Sequence, residues 1–433
     1  MSLETKREGN VVTKLASTVR LPRMARYRQK FDKSHIEVCD IAQTVMDEIA
    51  HSGLAERIKP GMSIAITGGS RGVANIALVL KAIVGYCKEK EAKPFVFPAM
   101  GSHGGATVEG QLEILKGYGI TEEFLGCPIK ATMDTVYLGD TEEGMHIFGD
   151  RYATEADGII LCNRIKAHTA FRGPYESGLV KMAVIGMGKQ HGAEQVHQNG
   201  FSDLGRLLPM IGHVVMDKAP VIGGVGLVEN AFDQTCLVRA LTTEEIWEEE
   251  PKLLEYSKKR LGKIYLDNID VLVVDRIGKD CSGDGMDPNI TGRFAVDYIR
   301  GDLNIQHIAV LDLTEETHGN CNGLGLADVT TKRLVDKIDV DETFPNVVTS
   351  TVLCTPKIPL FTHTDKACIQ IALRTCNYID RENPRIVRIK DTMHIEEIWV
   401  SEAMVAEASH NGNMELMEDP ADWDFNESDN LWT

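Results

Sequence analysis

Histidine and lysine side chains crowd one stretch of this sequence, between residues 163 and 201. His168, His191 and His197 lie there with Lys181, and ordinary core packing does not require such a concentration. Imidazole transfers protons near neutral pH or binds a metal, and a deprotonated lysine is a nucleophile. Because no HxH or HExxH pair is present, a conventional zinc site is not specified. The alternative interpretation is a basic surface loop.

A glycine-rich loop lies earlier in the chain, at Gly68, Gly69, Ser70, Arg71 and Gly72. Glycines between a strand and a helix let backbone N–H groups approach an anion, and the helix N-terminus adds favourable partial charge. The guanidinium of Arg71 would add donors for a phosphate or a carboxylate. The loop is neither a Walker A motif nor a complete GxGxxG, so a tight turn with a solvated arginine is the alternative.

A third candidate is His103, which lies between glycines in the segment Gly101-Ser102-His103-Gly104-Gly105. An imidazole in such a loop is approachable and suits general acid–base catalysis. The alternative is a loop histidine that only caps the following helix, which is predicted to begin at Thr107.

These loops follow predicted strands of one repeating pattern. Apolar runs at residues 63–67, 94–100 and 158–162 predict the strands, and helices are predicted after the first two loops. Alternation of strand, glycine loop and helix indicates an open, mostly parallel α/β sheet. Sites in such sheets form at the carboxyl ends of strands, so these loops are the expected place of a functional site.

The α/β pattern starts again in the second half of the chain, with a predicted strand at residues 269–274. The charged helix predicted at residues 242–263, which includes Glu250, is interpreted as a solvated connector. We therefore expect two α/β domains with mostly parallel sheets and an active-site cleft between them. The expected ranges are an N-terminal cofactor-binding and catalytic domain at 1–265, a C-terminal domain at 266–400, and an acidic tail at 401–433 that packs back or is loosely ordered.

Composition limits the class of protein. A length of 433 residues exceeds one ordinary core and favours two domains. The formal charge of −18 argues against nucleic acid as the main partner.

No apolar run is long enough for a bilayer, and residues 1–23 lack the apolar core of a signal peptide. Ten cysteines without a CxxC pair are typical of reduced thiols, so we expect a cytoplasmic protein with no membrane partner. The oligomeric state stays open, and a homo-oligomer is compatible with the sequence.

In the order of its motifs the chain resembles the nickel-dependent lactate racemase family, over roughly residues 40–400. Ser70 and Arg71 resemble a strand-end Thr-Arg motif that binds the phosphate side of the cofactor. The Gly-x-His loop of the family, which supplies one catalytic base, resembles the loop that contains His103.

The later motifs resemble the same family. His168 is similar to its second catalytic histidine, and Lys181, in a Gly-x-x-Lys setting, to the lysine that tethers the cofactor. His197 follows Lys181 by 16 residues and is similar to the nickel-ligating histidine. Lys189 and His191 are the second-best candidates for these two roles.

The resemblance implies an isomerase that racemises or epimerises a small 2-hydroxy acid, either lactate-like or a larger hydroxy or sugar acid. The implied cofactor is a nickel-pincer nucleotide, the nickel-carrying pyridinium-3-thioamide-5-thiocarboxylic acid mononucleotide. Hydride would move from the substrate to this cofactor and back, with His103 and His168 as bases on opposite sides. Cofactor-maturation enzymes are the implied protein partners.

Binding of the substrate carboxylate is assigned to Arg71, with Lys166 or Arg293 as further candidates. His318 either lines the cleft between the domains or caps a turn. These four residues are the expected substrate-binding set.

Other function classes stay open at this point. A hydrolase or lyase could use an ordinary divalent metal on His103, His168 and His197. An inactive protein could bind an anionic ligand in the same loops. A nicotinamide-dependent dehydrogenase is less favoured, because the sequence has no complete GxGxxG followed by a downstream acid.

Overall fold

The computed structural model describes residues 11–69 and 72–432. It divides into two compact units: a first unit, Asp32–Leu261, and a second unit made of Met1–Phe31 and Gly262–Thr433. None of the helices in the described ranges combines the length and the apolar composition that a membrane crossing requires.

The strands of the described residues are β1 (Met24–Gln29), β2 (Ser63–Gly68), β3 (Lys93–Pro98), β4 (Thr135–Asp140), β5 (His146–Asp150), β6 (Gly158–Arg164), β7 (Val221–Glu229), β8 (Thr235–Thr242), β9 (Ile269–Ile277), β10 (Ile305–Leu313), β11 (Val329–Thr331), β12 (Leu360–Thr362), β13 (Ile386–Ile389), β14 (Glu397–Ser401) and β15 (Met414–Ala421). The α-helices are α1 (Val11–Ser17), α2 (Ile41–His51), α3 (Ile76–Glu89), α4 (Val108–Gly117), α5 (Glu122–Leu125), α6 (Arg151–Thr154), α7 (Leu179–Lys181), α8 (Lys189–His197), α9 (Phe201–Lys218), α10 (Thr243–Arg260), α11 (Pro288–Thr291), α12 (Lys332–Asp336), α13 (Val340–Ser350), α14 (Asp365–Thr375) and α15 (Val405–His410).

The first unit is built on a sheet with the strand order β3-β2-β6-β7-β8. The first four strands are parallel, and β8 pairs antiparallel with β7. Helices α2 and α3 bury apolar side chains against one face of this sheet, and α9 and α10 against the other. Because both faces are covered, β2 and β6 are almost continuously apolar, as is typical of parallel sheets.

The second unit is built on a sheet with the strand order β12-β11-β10-β9-β13-β14-β1-β15. The five strands from β12 to β13 are parallel, and the last three run antiparallel to their neighbours. The prediction of an α/β fold with mostly parallel sheets is therefore confirmed.

The N-terminal segment belongs to the second unit, because β1 pairs with β14 on one side and with β15 on the other. The expected range of 1–265 places this segment in the N-terminal domain instead, and local sequence patterns carry no signal for such a distant pairing. The acidic tail, as far as it is described, packs back. Trp423 donates its indole N–H to the carbonyl of Pro22 at 2.9 Å, and the backbone N–H of Leu431 donates to the carboxylate of Asp365 at 2.9 Å.

Candidate active site

Three candidate loops leave the same edge of the sheet in the first unit. They follow β2, β3 and β6, which are adjacent and parallel, so their carboxyl ends lie side by side. The backbone N–H of Ala99 donates to the carbonyl of Gly68 at 2.8 Å. The backbone N–H of Cys162 donates to the buried hydroxyl of Thr67 at 2.7 Å. These bonds fix the points at which the three loops start.

The segment after Lys181 contacts both of the other loops. A π-helical turn, Met182–Gly186, continues directly from α7. The backbone N–H of Gly101 donates to the carbonyl of Gly186 at 3.3 Å, and a Cβ added at Gly186 would lie 2.7 Å from the carbonyl oxygen of Ala99. This contact requires a glycine, since the two backbones approach too closely for a side chain. π-helical turns occur frequently at functional sites.

The loop after β2 reaches the same turn through Gly69. A Cβ added at Gly69 would lie 3.2 Å from Cε of Met182. Gly72 is exposed, and a Cβ added there would meet nothing within 4 Å. The predicted anion-binding residues Ser70 and Arg71 lie outside the described residues.

His197 lies at the end of α8, close to Lys181. Its Nδ1 atom is buried and, among the described residues, has no hydrogen-bond partner. Burial lowers the pKa of His197 to about 4, and the positive charge of Lys181 contributes to this shift. The imidazole is therefore neutral at neutral pH, which is the form that donates a lone pair to a metal.

An aromatic side chain joins His197 to His168. The ring of Phe201 lies 5.5 Å from the ring of His197 and 6.1 Å from the ring of His168, measured between centroids. The ring of His168 also lies against that of Phe171, at 4.3 Å. Two of the predicted histidines therefore border one apolar surface, and Lys181 lies near one of them.

The backbone and ring of His168 are both held in place. Its backbone N–H donates to the buried carboxylate of Glu176 at 2.7 Å. Arg172 and Lys258 form ion pairs with the same carboxylate at 3.3 and 3.0 Å. The Nδ1 atom of His168 accepts a hydrogen bond from the backbone N–H of Ala170 at 3.0 Å. Since Nδ1 is an acceptor, the neutral ring carries its proton on Nε2 in this arrangement.

His103 is half-buried in the loop after β3. The buried side-chain amide of Gln111 donates to the carbonyl of Gly101 at 2.9 Å and to that of His103 at 3.3 Å. Thr107 caps α4 by accepting a hydrogen bond from the backbone N–H of Gly110. The alternative in which His103 caps this helix through its side chain is therefore wrong, because Thr107 occupies that position.

The residue missed by sequence reasoning is Glu250 in α10. Its side chain is 1% exposed, and its Oε2 accepts hydrogen bonds from the backbone N–H groups of Leu179 and Val180, both at 3.0 Å. It therefore caps α7, the short helix that ends at Lys181. A Cβ added at Gly178 would lie 2.0 Å from Oε1 of Glu250, which explains the glycine in the Gly-x-x-Lys motif.

The interpretation of this helix as a solvated connector is thus wrong at Glu250. The helix buries Ile246, Glu250, Leu253 and Leu254, which recur at helical spacing on one face. This periodicity is the sequence signal that could have predicted the burial of Glu250, because a carboxylate on an otherwise apolar helix face needs a partner inside the protein.

Replacing Glu250 with glutamine should flatten the pH dependence of stability. Burial raises the pKa of Glu250 from its ordinary value of 4.5 to about 8. At a pH between these two pKa values, the carboxyl group of Glu250 is ionised in the unfolded chain and protonated in the folded chain. The free energy of unfolding therefore falls as pH rises through this window, by at most about 1.4 kcal/mol per pH unit. Urea denaturation of both proteins between about pH 5 and pH 8 measures the difference in slope. Equal slopes would contradict a buried, protonated Glu250.

Lys166 lies at the base of the same loop as His168. Its backbone N–H and carbonyl pair with those of Ser177 at 2.9 and 3.1 Å, and its side chain is half-buried. His191 is exposed, and its ring contacts that of Phe148 at 4.1 Å between centroids. Lys189, in contrast, is fully buried.

The predicted substrate-binding residues of the second unit have different settings. Arg293 forms an ion pair with Asp328 and donates to the carbonyls of Leu326 and Gln306 at 3.1 and 2.9 Å. Its guanidinium is therefore engaged at the start of β10, and we do not retain it as a carboxylate-binding residue. His318 is exposed in a turn after β10, with a backbone φ of 51°.

Within the described part of the chain, no group of three or more His, Cys, Asp or Glu side chains is arranged to hold a metal ion. His103, His168 and His197 therefore do not form the three-ligand site that the hydrolase or lyase alternative requires.

Residues 17–204 match the family model described as the lactate racemase N-terminal domain, a range that includes β2, β3, β6 and their loops. The solved structure of the lactate racemase apoprotein from Thermoanaerobacterium thermosaccharolyticum is similar over 90% of this chain and 97% of that chain, with 14% identity and a TM-score of 0.48. No curated protein matches the chain.

Proposed function

We infer that this chain, whose residues 17–204 match the model of the lactate racemase N-terminal domain, racemises or epimerises a small 2-hydroxy acid. The observation that carries this proposal is the buried Nδ1 atom of His197, which has no hydrogen-bond partner among the described residues and lies beside Lys181. A buried polar atom without a partner is costly unless a ligand satisfies it.

The residues of the first unit fit a nickel-pincer nucleotide. His197 offers a neutral imidazole as a single protein ligand to nickel, and the amine of Lys181 is the proposed point of covalent attachment. Gly69 lies against the side chain of Met182, the residue that follows Lys181, so the loop after β2 and the proposed attachment point are neighbours. Ser70 and Arg71 are proposed to bind that phosphate on their sequence alone.

When bound, such a cofactor would supply a reversible hydride acceptor for the hydrogen on the substrate carbon. Removing a carbon-bound proton would be harder, because that proton is only weakly acidic. The two histidines move the hydroxyl proton. His168, whose neutral ring carries its proton on Nε2, is proposed as the donor in the described arrangement, and His103 as the acceptor. Two groups on opposite sides are needed, because the two enantiomers present their hydroxyls in different directions.

The substrate carboxylate is proposed to bind Arg71 and Lys166. Lys166 follows β6, two residues before His168, so a carboxylate there would lie near the proposed proton donor. The corresponding 2-hydroxy amide, which has no carboxylate, should then be a poor substrate. Cofactor-maturation enzymes are the proposed partners, and the cytoplasm is the proposed location.

The proposal is tested with protein that is co-expressed with enzymes of cofactor synthesis. We expect intact mass spectrometry to show an adduct at Lys181 and metal analysis to show nickel. Single-enantiomer 2-hydroxy acids, including sugar acids, are labelled with deuterium at C2. In ordinary water each substrate should keep the label, while the optical rotation should fall to zero for a racemised acid and move to that of the epimer mixture for a sugar acid. Zinc without an organic adduct would favour the hydrolase or lyase class, and ligand binding without turnover would favour an inactive binder.

A further inference from the structure

Lys189 has an unusual setting for a lysine. Its side chain is fully buried, and its backbone φ is 55°, in the left-handed region that non-glycine residues rarely adopt. The ammonium group forms an ion pair with the buried carboxylate of Asp150 at 2.8 Å. It also donates to the carbonyl of Pro98 and to Oε1 of Gln111. Three acceptors therefore satisfy its three N–H groups.

Gln111 connects this ammonium group to the loop of His103. Its Oε1 accepts from Lys189 at 3.5 Å, while its Nε2 donates to the carbonyls of Gly101 and His103 at 2.9 and 3.3 Å. Pro98, the other carbonyl partner of Lys189, is the last residue of β3, from which the same loop starts. The ammonium group of Lys189 therefore contacts both the residue from which the His103 loop starts, Pro98, and the side chain that binds carbonyls of that loop, Gln111.

Lys189 also belongs to the segment that contains Lys181 and His197, the proposed cofactor-binding residues. It is the first residue of α8, which ends at His197, and it follows the turn after Lys181. A displacement of Lys189 would therefore shift His197 relative to the loop of His103.

We propose that Lys189 and Gln111 are positioning residues that hold the His103 loop in register with the segment carrying Lys181 and His197. The effect of this positioning on catalysis rests on the proposed function, whereas its effect on the geometry of the His103 loop does not. A buried ion pair is weak support for stability alone, because desolvation of the two charges offsets their attraction. Retaining such a pair on a strained backbone is better explained by a need for fixed geometry.

The structural part is tested on the cofactor-free full chain by hydrogen–deuterium exchange. Replacing Gln111 with methionine keeps a similar side-chain volume and removes the hydrogen bonds that Gln111 donates to Gly101 and His103 and the one it accepts from Lys189. Loss of one buried hydrogen bond gives a factor of roughly five to ten, so we expect amides of residues 99–107 to exchange at least that much faster, with no change in β7 or β10. The matched control is Gln370→Met, since Gln370 is also buried and donates to a backbone carbonyl, that of Val19, in the second unit. Unchanged exchange at residues 99–107 would overturn the proposal.

The catalytic part is tested with the cofactor-loaded enzyme. Gln111→Met should lower kcat roughly 10- to 100-fold and leave KM within about twofold, because misplacement of His103 affects proton transfer more than binding. A double variant, Lys189→Met with Asp150→Asn, tests the same support if Gln111→Met folds poorly. It removes both buried charges and so leaves no unpaired carboxylate. It should show the same fall in kcat with nickel content retained.

The outcomes separate the two proposals. If the loaded wild-type enzyme shows no turnover but exchange at residues 99–107 rises as expected, the proposed function fails and the positioning role stands. If turnover is present and neither variant changes kcat, the positioning role fails and the proposed function stands.

Discussion

We expect that replacing Lys181 with methionine abolishes the proposed covalent attachment of the cofactor, because a thioether side chain has no amine to form the thioamide link. The side chain keeps a similar length, and the cap that Glu250 provides to α7 uses backbone N–H groups, so the local fold should persist. Turnover should fall by more than the roughly 10²- to 10⁴-fold that loss of one acid–base group costs. Intact mass spectrometry, nickel content and turnover are the three measurements.

The control for this variant is Lys218→Met, at the exposed end of α9, which should keep adduct, nickel and turnover. An adduct of unchanged mass on the Lys181→Met protein would contradict the assignment. Peptide mapping would then identify the attachment site, with Lys166 as the first residue to examine, since Lys189 is fully buried and paired with Asp150.

The second large effect is expected from the two histidines. His168→Ala and His103→Ala should each lower turnover roughly 10²- to 10⁴-fold, because proton transfer to or from the hydroxyl loses a positioned group. Both variants should retain the adduct at Lys181 and the full nickel content, since neither side chain is proposed to bind the cofactor. Turnover of each enantiomer and metal analysis are measured together.

His51→Ala is the matched control, because His51 is exposed on α2 and its Nδ1 atom forms a hydrogen bond with the carbonyl of Asp47 in the same helix. Loss of nickel in the His168 variant would move that residue from proton transfer to cofactor binding. Unchanged turnover in both histidine variants would remove the proposed acid–base mechanism.

The sequence predicted the parallel sheet of the first unit well, because buried parallel strands are short, apolar and followed by glycine loops. The expected strands at 63–67 and 158–162 correspond to β2 and β6, and the loops after them converge through backbone contacts. The order of the motifs also predicted that Lys181, His197 and His168 lie together. The rings of His197 and His168 both lie near Phe201, and Lys181 lies beside His197.

What the sequence did not predict depends on burial of charged and polar groups by distant segments. Glu250 was interpreted as solvated, yet it caps α7 from another helix. Arg293 was a candidate carboxylate ligand, yet Asp328 and two carbonyls engage it. In each case the partner is separated along the chain, and composition or spacing near the residue does not reveal it.

The pairing of β1 with β14 and β15 has a consequence for biosynthesis. The first unit is one continuous segment, while the second unit needs strands from both before and after that segment. As the ribosome extends the chain, the first unit is complete long before the last strand of the second unit emerges. During that interval β1 has neither of its partner strands, β14 and β15, so its edges are exposed. A chaperone that binds exposed strand edges would recognise such a segment.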